Sequence, residues 1–232
     1  MARGNVLATR TGIYYEKIGE PSFTTLVLHL NPGQKVEAEP GAMMYMHRTI
    51  NLETKVMGKG LGAALFGGET FRTNTYTATT GPGDLALVAP GVGDIQTVEL
   101  DGSYGLIVES GAYLASTPGL SFETKWQGLK GFLAERDIIM LYIRGVGTVW
   151  LAGFGALMEK NLAPNEVLSV DNGHLIAWPD NIRWEVRKVG GWKATLLSGE
   201  GLVVDFVGPG KIYMQTRHLP SFAGWVSKFI RR

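Results

Sequence analysis

The sequence predicts an all-β fold: a single domain of three pseudo-repeated β modules with a short C-terminal helix. Three observations carry that expectation. First, a glycine is followed eleven residues later by a large apolar residue, Glu, a β-branched residue and a basic residue. This occurs at Gly41 with Leu52-Glu53-Thr54-Lys55, at Gly111 with Phe122-Glu123-Thr124-Lys125, and at Gly173 with Trp184-Glu185-Val186-Arg187. Second, Gly81-Pro82-Gly83, Gly145-Val146-Gly147 and Gly208-Pro209-Gly210 keep the same order, each leading into an alternating apolar segment. Third, glycine is in excess, 32 of 232 residues with no collagen-like period, as in chains with many tight turns between short strands. Two signatures recurring three times in one order specify a triplicated unit.

The elements follow along the chain. Thr24 to Leu30 is a dense apolar run ended by Asn31-Pro32-Gly33, a strand and then a turn. Lys35 to Ala38 is a second strand, stopped at Pro40-Gly41. Ile50, Leu52, Thr54 and Val56 are two apart and share one strand face, which leaves Glu53 and Lys55 on the other. In the second module Leu106 to Val108 leads into Gly111, and Leu120, Phe122 and Thr124 face one way. In the third, Val167 to Val170 leads into Gly173, with Ile182, Trp184 and Val186 on one face. The Gly-x-Gly turns precede equivalent strands at Leu85–Val88, Thr148–Leu151 and Lys211–Met214. The modules run over about residues 34–103, 104–165 and 166–217; none can bury its apolar face alone, but three side by side share a core. Residues 218–232 read as an amphipathic helix, with Leu219, Phe222, Trp225, Val226, Phe229 and Ile230 at three- and four-residue spacings. Its start is placed at Pro220-Ser221 and its apolar side on the β core, with contact to a lipid surface as the alternative. A Gly-rich apolar insertion at residues 58–68 has a shortened counterpart at 128–134.

Bulk composition narrows the function classes. With 45% hydrophobic and 19% charged residues the chain is globular. A net charge of +1 supplies no field that draws it to nucleic acid. Cysteine is absent, which removes disulfides, thiolate catalysis and Cys-ligated zinc together. No run reaches the ~20 apolar residues of a bilayer span. The opening Met1-Ala2-Arg3-Gly4 is too short and polar for a signal peptide. The expected location is the cytoplasm, or the periphery of a membrane if the insertion contacts lipid.

Further motifs lie in order over about residues 34 to 220. They are Gly67-Gly68-Glu69-Thr70-Phe71, Gly91-Val92-Gly93-Asp94-Ile95, Val170-Asp171-Asn172-Gly173-His174-Leu175-Ile176-Ala177, Ser198-Gly199-Glu200-Gly201-Leu202, and Gly208-Pro209-Gly210 with Gln215-Thr216-Arg217. Together they resemble the altered-inheritance-of-mitochondria twenty-four family, mitochondrial biogenesis proteins with bacterial and archaeal relatives. The resemblance implies a fold like that of the trp RNA-binding attenuation protein, compact β modules that assemble in rings, and a tendency to form trimers. It implies no established enzymatic activity. The chain departs from mitochondrial members in lacking a presequence, which favours a prokaryotic cytosolic protein. The basic residues expected in the insertion are reduced to Lys59.

Chemistry is sparse. His29, His47, His174 and His218 form no ligand pair at metal-binding spacing, so no metal and no cofactor are expected. No nucleophile elbow, Walker motif or dinucleotide fingerprint is present, and the Gly-x-Gly segments lack the strand-then-helix setting of phosphate loops. The strongest polar constellation is Glu53/Lys55, Glu123/Lys125 and Glu185/Arg187. These could ring a pseudo-threefold axis and bind a small molecule or ion, or simply pair across the sheet or a subunit contact, the reading we favour. In the insertion, Leu61, Leu65 and Phe66 are candidates for contact with a protein partner or membrane surface, or for packing against their own subunit or a neighbouring one in a trimer, the reading we favour. The expected function is a non-catalytic homo-oligomeric scaffold or interaction protein, most simply a trimer. A nucleic-acid-binding ring, or a small-molecule or ion binder on the pseudo-threefold axis, is the alternative.

Overall fold

Glycine-bounded apolar segments become short antiparallel strands in a computed structural model of the chain, which describes residues 5–56, 72–124, 140–188 and 202–230. Two N-terminal strands, β1 (Leu7–Ala8) and β2 (Tyr14–Ile18), precede three repeats of six strands. The first repeat holds β3 (Thr25–Leu30), β4 (Lys35–Ala38), β5 (Met43–Met46), β6 (Ile50–Val56), β7 (Arg72–Ala78) and β8 (Gly83–Leu87). The second holds β9 (Ile95–Asp101), β10 (Leu106–Glu109), β11 (Tyr113–Ser116), β12 (Ser121–Thr124), β13 (Met140–Arg144) and β14 (Val146–Ala152). The third holds β15 (Leu157–Leu162), β16 (Val167–Asp171), β17 (Leu175–Pro179), β18 (Arg183–Lys188), β19 (Leu202–Val207) and β20 (Gly210–Gln215). Helix α1 (Leu219–Ser227) follows. The all-β fold with a short terminal helix is the one the sequence predicts.

Each repeat makes two three-stranded units. One pairs its first, sixth and third strands, as β3-β8-β5, β9-β14-β11 and β15-β20-β17; the other pairs its fourth, fifth and second, as β6-β7-β4, β12-β13-β10 and β18-β19-β16. The second strand of a repeat then pairs with the third strand of the next, β4 with β11 and β10 with β17. Four sheets result: β1-β2-β3-β8-β5, β6-β7-β4-β11-β14-β9, β12-β13-β10-β17-β20-β15 and β16-β19-β18. The ladders group β3, β9 and β15 with the strands after them, so the hydrogen-bonded repeat starts one strand before the boundaries near residues 34, 104 and 166. Those strands pair with the last strand of their own repeat, a non-local contact that no local pattern reports.

The sheets stack in sequence, with a core between each neighbouring pair. Leu26, Leu28, Leu85 and Leu87 of the first sheet meet Val36, Tyr76 and Trp150 of the second. Val149 and Leu151, on the second sheet's other face, meet Leu106, Leu141 and Ile176 of the third. Ile107, Tyr142 and Trp178 of the third meet Val170, Val204 and Phe206 of the fourth. The two middle sheets are covered on both faces, so their strands lose the apolar–polar alternation of a half-solvated sheet; Met140 to Ile143 are all buried.

The two sequence signatures touch. Ile50, Leu120 and Ile182 each stand nine residues after the first-signature glycine, and each packs against the second glycine of Gly-x-Gly. A Cβ at Gly83 would lie 2.5 Å from Thr49 Oγ1, at Gly147 2.5 Å from Thr117 Oγ1, and at Gly210 2.7 Å from Ile182 Cδ1. A β-bulge recurs in the same frame, between Met43 and Tyr45, Tyr113 and Ala115, and Leu175 and Ala177.

Helix α1 buries none of its residues. Phe222 rests on Phe154, 5.3 Å between ring centroids, and stacks on Trp225, which meets Phe229 edge-on. The expected packing on the β core is seen where Phe222 meets Phe154, in the connection between β14 and β15. No helix among the described residues is long and apolar enough to cross a membrane.

Gly147→Ala is expected to lower the unfolding free energy by about 1–3 kcal/mol through overpacking. Gly224→Ala, in open space on α1, is expected to raise it by roughly 0.5–1 kcal/mol. Urea denaturation midpoints of the two variants check both signs.

Candidate functional site

Glu53, Glu123 and Glu185 lie twelve residues after Gly41, Gly111 and Gly173, on the outer strands β6, β12 and β18. They stand opposite Thr75, Tyr142 and Asp205, and all three are exposed. No hydrogen bond or ion pair among the described residues joins one of them to another. Glu53 accepts a hydrogen bond of 3.4 Å from the Asn51 amide. Arg187 pairs with Asp205 on the neighbouring strand, not with Glu185, and its Nη2 donates to Ser169 Oγ at 3.0 Å. The guanidinium holds the Asp205 carboxyl below the usual carboxylate range, assisted by the Ser169 hydroxyl. Lys55 stands in β6 opposite Thr73. Lys125 and the insertion residues Leu61, Leu65 and Phe66 lie outside the described residues.

A different acidic set is placed by the same repeat frame. Two residues before each signature glycine stands Glu39, Glu109 or Asp171. Glu109 and Asp171 close β10 and β16, and Glu39 follows β4 directly. The Gly111 N–H donates to Glu109 Oε1 at 3.2 Å, and the Gly173 N–H to Asp171 Oδ1 at 2.7 Å. Desolvation by burial, and then the charge of Glu109, push the Glu39 carboxyl up to about 7. Burial also raises Glu109, against the opposing pull of the Gly111 N–H. The sequence signal for this set was the acid-x-Gly spacing, which a search for Glu-x-Lys pairs passes over.

Glu109 opens onto a cavity of about 480 Å³ between the second and third repeats, roofed by Leu219 and Pro220 at the start of α1. Phe154 and Leu175 give it apolar walls; Asn172, Gln215 and His218 bring polar atoms. Gln215 is committed, its Oε1 accepting from the Phe154 N–H at 2.9 Å and its Nε2 donating to the Gly173 carbonyl at 3.0 Å. His218 Nδ1 lies 2.7 Å from Ser221 Oγ. Asn172 is 5% exposed, and its backbone N–H donates to the Leu202 carbonyl at 3.1 Å. Its size and lining suit a small uncharged molecule more than a metal. Among the described residues no group of three or more His, Asp or Glu side chains is placed to hold an ion.

The folded state holds the Glu39 proton up to about pH 7, whereas the ordinary carboxyl releases it near 4.5. The folded state therefore binds more protons across that window, and this contribution to stability falls as pH rises through it. Glu39→Gln is expected to be more stable than the parent chain at pH about 8, with the difference shrinking toward pH about 5. Denaturant titrations at the two pH values read it.

The geometry is matched by known proteins. An uncharacterised protein of Streptococcus pyogenes serotype M6 is 27% identical over 219 residues, 90% of this chain and 87% of that protein. An X-ray crystal structure of a Streptococcus pyogenes protein superposes with a TM-score of 0.76 at 26% identity, covering 96% of this chain and all of that one. The sequence model described as Mitochondrial biogenesis AIM24 matches residues 15–217, from β2 through the end of the third repeat, and the chain belongs to that family.

Proposed function

We propose that the protein is a non-catalytic homo-oligomeric scaffold, most simply a trimer. The observation that carries this reading is the incompleteness of the first and fourth sheets. Each middle sheet joins units from two repeats, whereas β5 and β16 form no such inter-repeat ladder among the described residues. Met43, Met44 and Tyr45 on β5 are 39%, 61% and 43% exposed. An apolar strand edge left open is a template for pairing with another chain. The insertion with Leu61, Leu65 and Phe66, together with the exposed aromatics of α1, supplies contact surface for a protein partner or a membrane surface. We place the protein in the cytoplasm, at the membrane periphery where that contact is with lipid.

A second reading, binding of a small molecule, is favoured by one observation: the cavity of about 480 Å³ that Glu109 and Asn172 line together. Nucleic-acid binding has a net charge of +1 against it.

Native mass spectrometry at micromolar concentration tests the leading reading. The expected species is a trimer; a monomer at every concentration overturns it.

A further inference from the structure

The two junctions formed inside the chain share one register. In the first, Ala38 of β4 pairs with Ala115 of β11; in the second, Val108 of β10 pairs with Ala177 of β17. Ala38 and Val108 each stand three residues before their signature glycine, and Ala115 and Ala177 each stand four after theirs. Two independent ladders thus obey one rule. The rule leaves one strand of each kind without its counterpart. Val170 of β16 stands three residues before Gly173, and Tyr45 of β5 stands four after Gly41. Among the described residues neither β16 nor β5 has its inter-repeat ladder.

We infer that β16 of one copy pairs antiparallel with β5 of a second copy of this chain, with Val170 opposite Tyr45, Ser169 opposite Met46 and Leu168 opposite His47. This rests on the oligomeric reading above and names the surface that makes the oligomer. The union turns the three-stranded fourth sheet of one copy and the five-stranded first sheet of the next into one eight-stranded sheet, in the order β18-β19-β16-β5-β8-β3-β2-β1. It repeats the geometry that the two internal junctions already have.

Three further observations carry it. First, β5 has the local shape of strands that are paired. Its bulge between Met43 and Tyr45, read against β8, matches those of β11 against β14 and β17 against β20.

Second, the side chains on the sheet edges divide into two kinds. The outer strand β6 carries Glu53 and Lys55, β9 carries Glu99 and Asp101, β12 carries Glu123, β15 carries Glu159 and Lys160, and β18 carries Arg183, Glu185 and Arg187. Charge on an edge strand discourages another chain from adding to it. The strand β5 is Met-Met-Tyr-Met with no charge, and β16 carries only Asp171 at its end. The edge strand β1 is also uncharged, but at two residues it is too short to template another chain. Among the longer edges of the described residues, β5 and β16, the two that the register rule leaves open, are the ones with no charge before their last residue.

Third, the faces agree. Val170 belongs to the core of the third repeat and Met46 packs on that of the first. In the joined sheet Val170 and Tyr45 point to one side, and Ser169 and Met46 to the other. The exposed Tyr45 ring then covers the rim of the neighbour's third-repeat core, and the Ser169 face turns toward the first-repeat core. Because the two edges differ, the contact is head to tail, and successive copies close into a ring when their rotation allows it.

The absence of cysteine makes the register directly readable. Opposite residues of an antiparallel pair have Cα atoms about 4.5–5.5 Å apart, within the span of a disulfide. The experiment mixes Met46→Cys protein with Ser169→Cys protein under mild oxidation, so that any bond between the two must join two chains. The expected result is a linked heterodimer, with yield at least about tenfold above that of Tyr45→Cys mixed with Ser169→Cys, which is one residue out of register and on the opposite face. His47→Cys with Leu168→Cys is an independent in-register pair, should either variant of the first fail to fold. Equal yields from in-register and out-of-register pairs overturn the inference, as does a Met46→Cys/Ser169→Cys double variant that links only within a monomer. No in-register link in a protein whose native mass is that of a trimer overturns this interface and leaves the scaffold reading standing. A protein that is monomeric by mass removes both.

Discussion

The architecture depends on an exchange between neighbours: the second strand of one repeat completes the sheet begun by the third strand of the next. A repeat on its own would own two three-stranded units, each with an edge of unpaired N–H and C=O groups and an apolar face only half covered. Joining β4 to β11 and β10 to β17 satisfies those backbone groups. The same step makes each middle sheet the shared wall of two cores, Trp150 lying on one side of the second sheet and Val149 and Leu151 on the other. Stability of this kind accumulates through neighbour contacts, as in other repeat proteins. It also leaves the first and last units of the array short of a neighbour.

Glycine is what makes the repeats stackable at this density. At Gly83, Gly147 and Gly210 the backbone passes so close to a side chain of the same repeat that a methyl group would meet an atom at 2.5 to 2.7 Å. The side chains concerned belong to the segment that leads into the first-signature strand. The two signatures therefore recur together because they are two sides of one contact. The first-signature glycines are less uniform. Gly41 has φ of +89°, where a side chain is strained, whereas a Cβ at Gly111 would meet the Glu109 carboxylate and one at Gly173 the His218 ring first and then the Asp171 carboxylate.

Electrostatics follows the strand geometry. The i and i+2 residues of a strand share a face but stand nearly 7 Å apart along it, whereas a residue on the neighbouring strand is at about 5 Å. Asp205 stands opposite Glu185 and diagonal to Arg187, whose own ladder partner is Val203. The long Arg187 side chain spans that diagonal to reach the opposite charge, whereas Glu185 holds a like charge beside Asp205. The acids at the strand ends have a different environment. Glu39 and Glu109 are drawn into partly dry surroundings, where the neutral form of each is favoured.

By itself the sequence determined the fold class, the threefold repetition and the presence of a C-terminal helix, because each is written in local spacing: period two in Ile50, Leu52 and Thr54, period near 3.6 in Leu219, Phe222 and Val226. The helix itself ends at Ser227, short of the 218–232 that the spacing suggested. It also placed the three glutamates at one position of three equivalent strands. Only the tertiary structure decided which strands pair across repeats, and so that β3, β9 and β15 belong with the strands after them. It alone decided that Asn172 lies buried beside Glu109, and that Arg187 selects Asp205. These depend on contacts between residues distant in the chain, where the alternation of a strand shows which face is apolar but carries nothing about the sheet that covers it.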